Sequence, residues 1–65
     1  MPSAEIAGPQ INDINIKRQL VKEVTDSMMK AYKIPAPSSY VVTIIETPPE
    51  NVAVGGELIA DRGKK

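Results

Sequence analysis

The sequence predicts a small α/β protein (α+β by some schemes) built as one βαβ unit with a short C-terminal hairpin. Three observations predict this fold: one amphipathic helical pattern, one strongly β-branched segment, and a Gly-Gly pair between short apolar runs. The chain has 65 residues and a mass of 7.0 kDa, so we expect a single domain spanning residues 1–65.

The helix is predicted from apolar residues that recur at spacings of three and four. Asn12, Asp13 and Asn15 precede this pattern and offer side-chain oxygens as N-caps, and the helix should end before Pro35. The predicted apolar stripe consists of Ile16, Leu20, Val21, Val24, Met28, Ala31 and Tyr32.

Two strands are predicted to flank the helix. The first, Ser3–Ala7, is a weak signal that ends at Gly8-Pro9, whereas Tyr40–Ile45 is rich in β-branched residues. Strand, helix and strand in this order favour a right-handed crossover with a parallel strand pair. The remaining segments are predicted as a loop at Pro35–Ser39, a turn at Thr47–Asn51, and a hairpin in which Val52–Val54 and Leu58–Ile59 flank Gly55-Gly56.

Chain size and strand pattern together predict an oligomer. Surface scaling gives a folded area of about 4,000 Å² and burial of only about 60% of the unfolded surface, which leaves a monomer marginally stable. Both faces of the second strand are largely apolar, but one helix can cover only one of them. We therefore expect the other face to contact another copy of the chain.

Composition excludes several functional classes. The chain has no cysteine and no histidine, which excludes disulfides, thiolate and imidazole catalysis and the usual metal sites, so we expect no metal. Eight basic residues balance eight acidic ones, which argues against nucleic-acid binding. The basic end formed by Arg62, Lys64 and Lys65 is interpreted as a solvated tail. No apolar run is long enough for a membrane span and no signal peptide is recognisable, so we expect a cytoplasmic protein.

One group remains that titrates near neutral pH. An α-amine has a reference pKa of about 7.7–8.0, and the second residue here is Pro2. Small second residues generally permit removal of the initiator Met1, which would leave Pro2 with a free secondary amine held by its ring. Such an amine could act as a general base, whereas a retained Met1 would turn the nitrogen into an amide without basicity.

The chain resembles the short-chain 4-oxalocrotonate tautomerase family over nearly its whole length, with about one extra residue in the Pro35–Ser39 loop. The resemblance rests on the Met-Pro start, on the helical segment Leu20–Thr25, and on the motif Ile45–Leu58, which contains Pro-Pro-Glu-Asn and Gly-Gly-Glu-Leu. It implies a trimer or hexamer in which Pro2 is the catalytic general base. It also implies tautomerisation of a small enol or α-keto acid without a metal or organic cofactor.

The chain departs from the family at its substrate contacts. Asn12 and Val41 stand where the best-known member has arginines, and Val52 stands at the aromatic wall. The expected substrate contacts are Tyr40, as a hydrogen-bond donor near the base, and Val52, at the position of the family's wall. A dicarboxylate substrate is disfavoured because Asn and Val cannot replace guanidinium groups. A packing role at a subunit contact is the alternative for Tyr40. Lys17, Arg18 and Arg62 are candidate replacement cations, with solvated surface charges as the alternative.

Three functions remain open on this basis. The first is a tautomerase with Pro2 as base. The second is a non-catalytic oligomeric protein that keeps the tautomerase fold. A hydratase-like dehalogenase ranks last, because that chemistry also requires arginines at the substrate.

Overall fold

The computed structural model describes residues 1–62 and contains the predicted βαβ unit. Strand β1 (Ser3–Gly8) leads into helix α1 (Ile14–Tyr32), which leads into strand β2 (Val41–Glu46). β1 and β2 pair in parallel, with a register that runs from Ser3 opposite Val41 to Gly8 opposite Glu46. The predicted βαβ topology is confirmed.

Helix α1 has a well-defined cap at each end. It begins at Ile14, two residues before the predicted stripe, because Asp13 is the N-cap and its Oδ1 accepts the N–H of Asn15 at 2.9 Å. At the other end Lys33 adopts a left-handed conformation (φ 61°) and its N–H donates to the carbonyl of Met29. The helix therefore ends ahead of Pro35, as predicted.

The packed face of α1 is shorter than the predicted stripe. Leu20, Val21, Val24 and Met28 are half-buried, but the stripe was wrong for Ile16 (55% exposed), Ala31 (exposed) and Tyr32 (60% exposed). A helix of 19 residues is about 28 Å long, whereas six-residue strands span about 20 Å, so the helix overhangs the sheet. Lys17 lies on the half-buried face of α1, and successive helical residues are turned by about 100° from each other. The side chain of Ile16 is therefore turned away from that face.

One face of the sheet is uncovered in the single chain. The half-buried positions are Ala4, Ile6, Val42 and Ile44, on the face that α1 covers, whereas Val41 (42%) and Ile45 (38%) on the other face are exposed. This uncovered sheet face consists of Ser3, Glu5, Ala7, Val41, Thr43 and Ile45.

The dimensions of the chain agree with an uncovered sheet. The accessible area of 5145 Å² exceeds the ~4,000 Å² expected for a compact chain of this mass. The radius of gyration, 15.5 Å, also exceeds the ~11 Å expected for 65 residues. Among the described side chains only Tyr40 is a buried hydrophobic residue. Little of the stabilisation therefore comes from a core within one chain.

The C-terminal segment forms the predicted hairpin in shortened form. Strands β3 (Ala53–Val54) and β4 (Glu57–Leu58) are antiparallel and are joined by Gly55 (φ 62°) and Gly56 (φ 85°). Both glycines have the positive φ that a tight two-residue hairpin loop requires. Ile59 is not part of the hairpin as predicted, because it begins a short helix, α2 (Ile59–Arg62).

The predicted loop and turn each contain one turn of 3₁₀-helix, at Pro37–Ser39 and Pro49–Asn51. Arg62 is not a free tail residue, since its Nε lies 3.2 Å from Glu57 Oε1. Lys64 and Lys65 lie outside the described residues. No helix within residues 1–62 is long and apolar enough to cross a bilayer.

Candidate active site

Pro2 lies immediately before β1, beside the start of β2. Its carbonyl oxygen accepts the N–H of Val41 at 3.0 Å, and Pro2 is half-buried, whereas Met1 is exposed. Extending the strand register by one residue places Pro2 alongside Tyr40, on the face that α1 covers. The candidate base is therefore held at a fixed strand position next to Tyr40, the one buried side chain within residues 1–62.

Tyr40 is 8% exposed, and its hydroxyl makes two hydrogen bonds with the backbone of Ile34. The hydroxyl donates to the carbonyl of Ile34 at 2.8 Å and accepts the N–H of Ile34 at 3.2 Å. The single hydroxyl proton is thus used to hold the segment that follows α1. The role of Tyr40 in substrate binding stays a prediction.

Val52 lies at the opposite end of the sheet, where it borders an apolar cavity of about 400 Å³. The six residues of β1 span about 20 Å, so one chain does not bring Val52 next to Pro2. Asn12 also follows the Gly8 end of β1, whereas Val41 lies at the Pro2 end. The cavity is lined by Ala7, Gly8, Pro9, Thr47, Pro49, Val52 and Ile59.

Backbone hydrogen bonds build the wall of this apolar cavity. Thr47 donates both its N–H (2.8 Å) and its hydroxyl (3.1 Å) to the carbonyl of Gly8, which ties the ends of β1 and β2 together. The N–H of Ile59 donates to the carbonyl of Val52 at 2.8 Å, which holds α2 against the Pro49–Asn51 turn. Thr47 and Ile59 were not predicted as site residues, since nothing local in the sequence indicates that they meet.

A carboxylate clamp fixes the connection between β1 and α1. Glu46 Oε2 accepts the N–H of Ile11 at 2.9 Å and lies 3.0 Å from Lys17 Nζ. The hydrogen bond from Ile11, followed by that from Lys17, lowers the pKa of the Glu46 carboxyl below its ordinary value. The sequence signal for this clamp was a single carboxylate at the end of a β-branched run.

The three candidate replacement cations all have partners in the chain. Lys17 pairs with Glu46, Arg62 pairs with Glu57, and Arg18 Nη1 donates to Asn15 Oδ1 at 2.9 Å. None of these contacts involves Pro2. Within residues 1–62 no three Asp or Glu side chains come together in a way that could hold a metal ion.

Comparison with known proteins identifies the family. The family model described as "Tautomerase enzyme" matches residues 2–62. The chain belongs to the tautomerase family. The match starts at the candidate base and includes every site residue discussed above.

Solved tautomerase structures share the fold along almost the whole chain. A chain from a study of the 4-oxalocrotonate tautomerase isozymes of Methylibium petroleiphilum is 30% identical, with a TM-score of 0.81, and the alignment covers 97% of this chain and 100% of that one. DmpI from Archaeoglobus fulgidus is 38% identical, with a TM-score of 0.80 and coverage of 92% and 100%. DmpI from Helicobacter pylori is 31% identical, with a TM-score of 0.77 and coverage of 91% and 97%. A search of curated proteins found no significant match.

Proposed function

We propose that this tautomerase-family protein is a cofactor-independent isomerase that interconverts the keto and enol forms of a small enol or α-keto acid. Pro2 is the general base in this proposal. The observation that carries it is the position of Pro2: half-buried, fixed by the Val41 N–H, and at the residue where the family match begins.

The chemistry requires a free nitrogen on Pro2. Removal of the exposed Met1 would convert the Pro2 nitrogen from an amide into a secondary amine. The amine would take a proton from the enol hydroxyl and deliver it to carbon, and the reverse reaction would use the same group. Only the neutral amine can accept a proton, so the mechanism requires Pro2 to be uncharged at the working pH.

The proposed site is completed by assembly of copies of the chain. Pro2 and the cavity that Val52 borders lie at opposite ends of β1, which spans about 20 Å, so a site containing both must combine the Pro2 end of one copy with the cavity end of another. The uncovered sheet face supports association, because Val41 and Ile45 expose apolar surface there. A trimer or hexamer in the cytoplasm is therefore part of the proposal.

The site favours a substrate with one carboxylate. Asn12 and Val41 supply no positive charge where the family has guanidinium groups, and each lost contact of that kind is worth on the order of 2–4 kcal/mol in the transition state. Lys17, Arg18 and Arg62 are engaged with other side chains. A dianion such as 2-hydroxymuconate is therefore the weaker substrate.

The test is ultraviolet-monitored ketonisation of phenylenolpyruvate and of 2-hydroxymuconate by Met1-processed protein. Pro2→Ala should lower kcat/KM by about 10²–10⁴, the usual contribution of a general base. Lys30→Ala, a control change at an exposed position in the last turn of α1, should leave the rate and the oligomer unchanged. An unchanged rate in an assembled Pro2→Ala protein would contradict the assignment of Pro2.

The second candidate is a non-catalytic oligomeric protein with the tautomerase fold. The observation that favours it is the absence of a basic residue at Asn12 and Val41. A Met1 that is retained in the mature protein, together with no rate above buffer on either substrate, would support this function instead. The same missing arginines make a hydratase-like dehalogenase the least supported choice.

A further inference from the structure

The apolar cavity lies at the Gly8 end of the sheet, where segments from both ends of the chain meet. Its volume of about 400 Å³ lies within the usual range for small-molecule sites, and all of its lining residues are uncharged. Cavities of about 150 Å³ can hold a benzene ring when their walls are apolar. This cavity is therefore large enough for a phenyl ring or a branched alkyl group.

Donors of two residues that line the cavity already have partners within the chain. Thr47 donates both of its protons to the carbonyl of Gly8, and the N–H of Ile59 is bound to the carbonyl of Val52. The Glu46 carboxylate is already paired with Lys17 and accepts the N–H of Ile11. Because the lining residues are uncharged, a ligand with a charged group in the cavity would lose hydration without gaining an oppositely charged partner.

We propose that this cavity binds the hydrocarbon substituent of the substrate, so that the preferred substrate class is an aryl- or alkyl-substituted monocarboxylic enol acid. The inference rests on the proposed function, because it assigns the other end of the substrate to Pro2 of a second copy. In this arrangement burial of apolar surface at Val52 and Ile59 supplies the binding energy that arginines supply for a dicarboxylate.

The experiment measures binding of two stable acids of similar length to the assembled protein. The probes are 3-phenylpropionate and glutarate, which differ in carrying a phenyl ring or a second carboxylate. Affinities come from calorimetric titration, and the binding site comes from amide chemical shifts of ¹⁵N-labelled protein. Neither probe is turned over, so the measurement does not depend on Pro2 being a base.

We expect 3-phenylpropionate to bind at least roughly tenfold more tightly than glutarate, with shifts at the amides of Gly8, Thr47 and Ile59. Val52→Phe narrows the cavity and Ile59→Ser makes its wall polar, and each should weaken phenylpropionate binding by about tenfold or more. Ile16→Ser, a matched change on the exposed side of α1, should alter affinity less than about twofold.

Several results would overturn the inference. Equal or tighter binding of glutarate, or shifts that do not include the cavity amides, would remove the apolar subsite. If neither probe shifts these amides and the oligomer dissociates in Val52→Phe, a neighbouring copy fills the cavity instead. Pro2→Ala should keep the preference for the phenyl acid. If a Pro2→Ala protein retains both this preference and full turnover, the assignment of Pro2 as the base is wrong, whereas the assignment of the apolar subsite still holds.

Discussion

Replacement of Tyr40 by phenylalanine separates the structural role of its hydroxyl from a role at the substrate. The hydroxyl makes two hydrogen bonds with Ile34, as donor at 2.8 Å and as acceptor at 3.2 Å. A hydrogen bond contributes about 0.5–1.5 kcal/mol net, and Ile34 is exposed enough for water to replace part of the loss. We therefore expect Tyr40→Phe to reduce the free energy of unfolding by about 1–2 kcal/mol.

The assay is urea unfolding followed by far-ultraviolet circular dichroism at one fixed protomer concentration, together with kcat/KM for phenylenolpyruvate. The midpoint should fall with an unchanged slope, and kcat/KM should change less than about threefold. Tyr32→Phe is the matched control, because Tyr32 is exposed at the end of α1. Wild-type stability combined with a rate loss of tenfold or more would refute this reasoning and assign the Tyr40 hydroxyl to the substrate.

Four further predictions concern stability and assembly. The partners of Glu46 lower its pKa, so the stability that this carboxylate contributes is complete above the ordinary Glu pKa of about 4.3. This stability is lost as the pH falls through the lowered pKa. Glu46→Gln should therefore flatten the acid dependence of stability in urea titrations between pH 2 and 7. Asp13→Ala removes the N-cap of α1 and should cost about 1 kcal/mol in the same assay, with Asp13→Asn close to wild type. Lys33→Gly relieves a left-handed residue and should stabilise the protein by about 0.5–1 kcal/mol. Val41→Asp places a charge on the uncovered sheet face and should reduce the mass seen by analytical ultracentrifugation, whereas unchanged assembly and a melting temperature independent of concentration would contradict the proposed contact.

The parts of the fold that could be predicted are those fixed by local patterns. The spacing of Leu20, Val21, Val24 and Met28 predicted the buried face of α1, and the β-branched run predicted β2. Gly55-Gly56 predicted the hairpin loop because only a residue without Cβ adopts positive φ at low cost. The apolar residues on both faces of β2 correctly predicted that one face stays uncovered in a single chain.

The parts that could not be predicted depend on distances between elements. The exposure of Tyr32 follows from a helix longer than the strands it covers, and the length of β1 was not fixed by its weak pattern. The hydrogen bonds from Tyr40 to Ile34, and the contact of Glu46 with Ile11, join residues whose proximity only the folded chain reveals.

The candidate site also contains residues that could be predicted from the sequence and residues that could not. Pro2 was singled out because the chain has neither histidine nor cysteine to act as a base, and the family resemblance then supplied its expected role as the base. Val52 was identified from resemblance, but its position at the opposite end of the sheet from Pro2 is known only from the folded chain. Ile59 and Thr47 entered only with the fold, because they line a cavity that four separate segments create.

The central claim is that the nitrogen of Pro2 is the catalytic base, and the most direct test is the intact mass and N-terminal peptide of an active preparation. The proposed mechanism predicts that molecules beginning at Pro2 account for all of the tautomerase activity on phenylenolpyruvate. Full activity in protein that retains Met1 would contradict the claim, because Pro2 would then be an amide that cannot accept the proton.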